Sequence, residues 1–249
     1  MLTVDVAPAP SRPGRPFAPK AEAELSGALR AAAGRIRTDS YDLSVLVSEA
    51  VLPTGVADLA VLRCYSSDVA ARLNADIPAL LTPGDLAVVS SCASSARGTT
   101  LERIASQSGQ EAGLARRRVR QLQAAGALRM VGDRWHAHPA YSLRCRTYAL
   151  EAKVSDWRAG IWQALRYRTW CDGSALVTGE LSNRVEVAAK AAAQDVRVGL
   201  YANERWLVRP RAESHNRATR LAVSERLVAA IQSAATSQAR TYQMLSASA

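Results

Sequence analysis

The order of sequence patterns predicts an α/β protein whose strand-and-helix core is interrupted by a small, mainly helical unit. Strand-like apolar runs occur early, at residues 43–51 and 56–64, and strand texture returns only at 145–153, followed by alternating helix and strand patterns to residue 208. Between them the texture is helical. The length of 249 residues suits one large domain or two small ones. With 48% hydrophobic and 22% charged residues, the composition is that of a folded chain and not of a disordered one.

Residues 1–19 contain Pro8, Pro10, Pro13, Pro16 and Pro19 with Arg12 and Arg15. Proline fixes φ and removes a backbone donor, so this stretch reads as a tail or strapping arm. Residues 20–36 place Leu25, Ala28, Leu29, Ala32 and Ile36 on one helical face and predict the first helix. The next two apolar runs flank Pro53, Thr54 and Gly55, which predicts two strands joined by a short turn.

A different texture begins near Ser66. Thr82, Pro83 and Gly84 open a segment bearing Leu86, Val88 and Val89, and Thr99 reads as the cap of a helix with Leu101, Ile104 and Ala105 inside. A third helix is expected over 110–125, with Leu114, Val119 and Leu122 inward, Arg116, Arg117, Arg118 and Arg120 outward, and Gly126 as its left-handed cap. Residues 127–130 and 134–136, either side of Val131, Gly132 and Asp133, form a small hairpin. Helix, helix, arginine-rich helix and hairpin is the order of a winged helix-turn-helix. In that arrangement the four helical arginines meet the major groove, and Arg129 and Arg134 meet phosphates.

The remaining elements are a strand at 145–153, a helix at 157–170, a strand at 175–178, a helix at 183–193, strands at 196–201 and 206–208, and a helix at 214–235. Trp157, Trp162 and Trp170 fall at helical spacing and are assigned to the core.

The chain has 32 Lys plus Arg against 22 Asp plus Glu, a formal charge of +10. That balance favours a polyanionic partner, nucleic acid foremost. Aromatics at 5% argue against stacking platforms as the main theme. Cys64, Cys92, Cys145 and Cys171 form no CxxC pair and read as buried thiols in a reducing compartment. No long apolar run and no signal-peptide core are present, so a cytoplasmic protein with no membrane partner is expected.

The chemistry-bearing stretch is Leu150, Glu151, Ala152 and Lys153. Strand alternation puts Glu151 and Lys153 on one face and Ala152 on the other. An acid and a base on an otherwise buried strand are costly unless the carboxylate holds a metal and the lysine meets an anion. Asp58 is a lone carboxylate near the start of an apolar strand, and Gln163 and Tyr167 share a helical face. These residues resemble the PD-(D/E)xK nuclease superfamily, the restriction-endonuclease-like fold. Asp58 matches its first acid, Glu151 and Lys153 its E-x-K strand, and Gln163 with Tyr167 the Q-x-x-x-Y helix motif of some branches. The likeness covers about residues 20–65 and 140–208, and Ala57 stands where the family often has proline.

The resemblance implies a restriction-endonuclease-like core, a mixed central sheet flanked by helices, with the winged helix inserted between the Asp58 and Glu151 strands. The expected organisation is an arm at 1–19, a discontinuous core at 20–65 and 140–212, an insert at 66–139, and a C-terminal helix and tail at 213–249. It further implies that Asp58 and Glu151 bind Mg²⁺ or Mn²⁺, helped by a carbonyl near Ala152. Lys153 would position the attacking water or neutralise developing charge, and Gln163 would orient the strand or a metal-bound water. Glu49, Glu22 or Glu24 could add an outer carboxylate. Duplex DNA is the favoured partner, and a homodimer suits duplex cleavage.

Other readings stand beside this one. The chain could be a DNA-binding regulator that keeps an inactive nuclease fold as scaffold or dimer platform, or an interaction protein whose charge reflects genomic composition. Locally, Glu151 and Lys153 could be an edge-strand ion pair, Asp58 a turn carboxylate, the arginines a solvated face, and His136 and His138 surface residues of the wing.

Overall fold

The computed structural model describes residues 2–6, 24–36, 40–52, 55–213 and 215–247, with side-chain surroundings through residue 234. In chain order the elements are β1 (Leu2–Val6), α1 (Ser26–Gly34), β2 (Leu43–Leu52), β3 (Gly55–Cys64), α2 (Ser66–Leu73), α3 (Pro83–Ala93), α4 (Leu101–Ser108), α5 (Ala112–Ala124), β4 (Leu128–Val131) and β5 (Arg134–Ala137). They continue with β6 (Cys145–Lys153), α6 (Trp157–Tyr167), β7 (Gly173–Thr178), α7 (Asn183–Asp195), β8 (Gly199–Ala202), β9 (Arg205–Val208) and α8 (Arg217–Ala247). The chain divides into two compact units, one made of residues 1–63, 145–215 and 233–249, the other of 64–144 and 216–232.

The first unit is α/β, with a mixed seven-stranded sheet in the order β1-β2-β3-β6-β7-β8-β9. The β1/β2, β6/β7 and β7/β8 pairs are parallel and β8/β9 is antiparallel. Side-chain alternation explains how helices cover both faces. Tyr148, Leu150 and Ala152 of β6 and Leu59 and Val61 of β3 join Leu29, Ala32, Ala33 and Ile36 from the α1 region in one buried cluster. Ile161 of α6, Leu176 of β7, Ala189 and Ala193 of α7 and Leu200 of β8 form another. Asp58, Glu151 and Lys153 belong by alternation to this second face.

Part of the expected arm is a strand. Residues 2–6 pair in parallel with 43–47, and Val6 is buried. The alternation of Leu2, Val4 and Val6 carried that signal, and the nearby prolines hid it. Residues 7–19 of the arm, the expected helix start at Lys20 and Glu22, and the turn residues Pro53 and Thr54 lie outside the described residues.

In the second unit, Leu86, Val88 and Val89 of α3, Ile104 of α4 and Val119 and Leu122 of α5 pack with Leu128 and Leu221. The β4/β5 hairpin is antiparallel, and Thr99 extends it through an isolated bridge to Trp135. The cap of α4 is consequently Thr100 rather than Thr99. Because α5 starts at Ala112, capped by the Glu111 carboxylate on the N–H groups of Gly113 and Leu114, Ala115 takes the inward place expected for Leu114. Leu114 is exposed. Gly126, at φ 73°, stands just past the helix in the left-handed region, as the cap requires.

Arg72 of α2 and Glu225 of α8 form a fully buried fork in this unit, with Nη2 2.7 Å from Oε2 and Nε 2.9 Å from Oε1. The Leu80 N–H also donates to Glu225, and Arg72 donates to the Ile77 and Pro78 carbonyls. All four cysteines are buried thiols, none of them in a disulfide. No described helix is long and apolar enough to cross a membrane.

Candidate active site

The site is built on β3, β6 and α6 of the first unit. Asp58 accepts the Ala152 N–H on its Oδ2 at 2.7 Å, which ties the two motif-bearing strands together at the end of β6. Glu151 is 1% exposed. Its Oε2 lies 2.7 Å from the Tyr167 hydroxyl and its Oε1 3.5 Å from Lys153 Nζ. The same hydroxyl reaches the Val56 carbonyl at 2.8 Å, and Gln163 Nε2 donates to it at 3.4 Å. Helix α6 can come this close because Gly160 has no side chain. A Cβ there would stand 2.9 Å from Lys153 Cγ and 2.6 Å from Leu176 Cδ1.

Burial is the largest influence on Glu151, and the Asp58 carboxylate adds to it. Together they push Glu151 up to about 7, against the pulls of the Tyr167 hydroxyl and the Lys153 ammonium. Tyr167 is raised in turn by burial and by the charge of Glu151. Proton accounting points the same way. Tyr167 has one hydroxyl proton and two acceptors, so an ionised Glu151 competes with the Val56 carbonyl for it. A protonated Glu151 donates to the Tyr167 oxygen instead, and each group is satisfied.

Asp58 and Glu151 present carboxylate oxygens, the donor type that a hard divalent cation takes. A cation there would relieve the repulsion that Asp58 adds to the larger effect of burial on Glu151. Among the described residues no group of three or more His, Cys, Asp or Glu could hold a metal. Glu49 and Glu24, expected as outer carboxylates, are both exposed, Glu49 at a φ of 49°. A cleft of about 800 Å³ elsewhere in this unit is lined by Ala28, Ala31, Arg35, Thr178, Tyr201 and Asn203. Asp58, Glu151 and Lys153 are not in its walls, so its size says nothing about their chemistry.

The arginines read from the sequence separate into two groups in the second unit. Arg116, Arg117, Arg120, Arg129 and Arg134 are exposed. Arg118 turns back onto α3, with Nη1 2.8 Å from Asp85 Oδ1 and Nε 3.2 Å from Gln110 Oε1, its guanidinium packed over Gly84. It fastens α5 to α3. His138 accepts the Ala140 N–H on its ring, and His136 packs against Gly98.

Two aromatic side chains differ from the sequence reading in their surroundings. Tyr167 was visible as a helix-motif partner, but its bonds to both strands were not. Trp162, assigned to the core by spacing, is 65% exposed, because the inward stripe of α6 runs through Gly160, Ile161, Ala164 and Tyr167 instead. The chain matches no protein-family model, no curated protein and no solved structure.

Proposed function

We propose that this is a DNA-binding protein whose first unit carries a PD-(D/E)xK-type site for metal-dependent phosphodiester hydrolysis. The observation that carries the reading is the grouping of Asp58, Glu151 and Lys153 at the β3/β6 junction, with Asp58 bonded to the motif strand and its charge felt by Glu151. Asp58 and Glu151 would hold Mg²⁺ or Mn²⁺, which when bound supplies an acidified water and charge neutralisation at the phosphate. Lys153 lies beside Glu151 and is its closest described cation, suited to the developing negative charge. Gln163 and Tyr167 hold Glu151 in orientation from the helix side.

The second unit is assigned as a winged helix-turn-helix. Three helices, the β4/β5 hairpin and the Thr99–Trp135 bridge support that assignment. Arg116, Arg117 and Arg120 of α5 are the groove-facing candidates and Arg129 and Arg134 the phosphate contacts, while Arg118 is structural. The test is cleavage of labelled duplex DNA in Mg²⁺ or Mn²⁺. Glu151→Gln and Lys153→Ala should each lower the rate by about 100-fold or more with DNA affinity kept. Unchanged cleavage in Glu151→Gln overturns the assignment.

One observation favours a second reading. Glu151 is nearly inaccessible and both of its oxygens have protein neighbours, as suits a retired site in a DNA-binding regulator. Under that reading Asp58→Ala leaves every DNA-dependent property intact, and replacing Arg116 and Arg117 removes binding.

A further inference from the structure

Helix α6 presents an outer face that the hydrolytic chemistry does not use. Arg158, Trp162 and Arg166 are spaced four residues apart, so they form one row along the helix, and all three are exposed. Trp162 is the exposed aromatic residue among the described residues, since the other large hydrophobics left in solvent are aliphatic or methionine. On the neighbouring helix α7, which shares the same buried cluster, Arg184, Val187 and Lys190 are also exposed. Trp162 stands exposed in the row between Arg158 and Arg166, with the Arg158 guanidinium itself over the Trp157 ring, 4.3 Å from its centroid. A partner on this face would therefore cover an indole and meet two cations.

The chemistry of the row identifies that partner. A flat apolar ring flanked by cations offers a π-face for a base and positive charge for the phosphates on either side, the combination that holds unpaired nucleic acid without reading its sequence. Trp and Arg also anchor protein–protein interfaces, so a second copy of the chain is the competing occupant, one that would leave oligonucleotide affinity unchanged in Trp162→Ala. Closed duplex buries its base faces and cannot use the indole.

We infer that the outer face of α6 is a single-stranded nucleic-acid platform, with Trp162 stacking an unpaired base and Arg158 and Arg166 holding adjacent phosphates. The inference rests on the nuclease reading for its biological sense, because Gln163, the next residue, is bonded through Tyr167 to Glu151. It narrows the substrate class to DNA with a single-stranded segment, such as a tail, flap or gap. Its binding chemistry needs no metal.

The test is fluorescence anisotropy of the full chain with a labelled oligo(dT), a matching oligo(U) and a blunt duplex, in chelator so that no cleavage occurs. Trp162→Ala should weaken oligo(dT) binding about tenfold, Trp162→Phe should retain most of it, and duplex binding should not change. Arg158→Ala and Arg166→Ala should each lower the salt dependence of oligo(dT) binding by about 0.7 in log–log slope. Equal losses on oligo(dT) and oligo(U) assign the face to single strands of either sugar, and loss on oligo(dT) alone assigns it to DNA. Wild-type oligonucleotide affinity in Trp162→Ala overturns the inference, and a change from dimer to monomer in that variant with affinity intact reassigns the face to self-association. Failure of the nuclease reading is recognised separately, as unchanged cleavage in Glu151→Gln.

Discussion

Each unit of this protein buries a glutamate, and the two are treated in opposite ways. Glu225, in the second unit, takes both arms of the Arg72 fork and the Leu80 N–H, with the pair wholly withdrawn from water. Glu151, in the first unit, is almost as deeply buried but faces a tyrosine hydroxyl, a lysine at 3.5 Å and a second carboxylate. A carboxylate that is fully matched contributes to architecture. One that is buried beside a second carboxylate, its charge only partly offset by a lysine and a tyrosine, is left poised for something that completes the compensation. The same residue type, at nearly the same exposure, thus separates scaffold from site by its partners alone.

The comparison can be broken hardest at Glu225. Arg72→Met leaves a buried anion without its fork and should destabilise the second unit by about 3–5 kcal/mol, read by chemical denaturation. The double variant Arg72→Met/Glu225→Leu should recover much of that loss, because a matched apolar pair avoids desolvating charge.

At Glu151 the sign is reversed. Its folded value is raised from 4.5 to about 7, so the folded chain keeps a proton that the unfolded chain has released. The stability contributed by that proton is fully present below about 4.5 and lost as the pH rises through about 7, amounting to about 3 kcal/mol over the window. Thermal melts of the metal-free protein should show this decline, Glu151→Gln should flatten it, and Mg²⁺ should restore stability above pH 7. Tyr167→Phe sharpens the contrast more gently, removing the hydroxyl shared by Val56 and Glu151 for about 1–2 kcal/mol. Trp162→Ala should change stability by less than about 0.5 kcal/mol in the same melts, since its side chain is mainly in solvent.

The strands that carry the site were legible because their patterns are strong. Residues 145–153 were read at the boundaries observed, and the run through Asp58 differs by one residue at its start. The grouping of Asp58, Glu151 and Gln163 could be argued from order and spacing. What spacing could not reveal was rotation about an axis. Leu114 and Trp162 sit at positions compatible with burial, yet each helix turns a smaller residue inward, and Arg118 turns from the groove-facing side toward Asp85. Glu225 lay unmarked among Leu221, Val223, Leu227 and Val228, where an acid on an apolar face was itself the signal. Its partner is 153 residues away in sequence, beyond the reach of any local pattern.

That separation bears on how the protein is made. Arg72 leaves the ribosome long before Glu225, and during that interval the second unit holds a guanidinium that its core cannot yet neutralise. The core of this unit is therefore incomplete while the chain is still growing. It waits for α8, after the whole of β6 to β9 has been synthesised. A chain that stops short of Glu225 leaves the Arg72 guanidinium without its carboxylate.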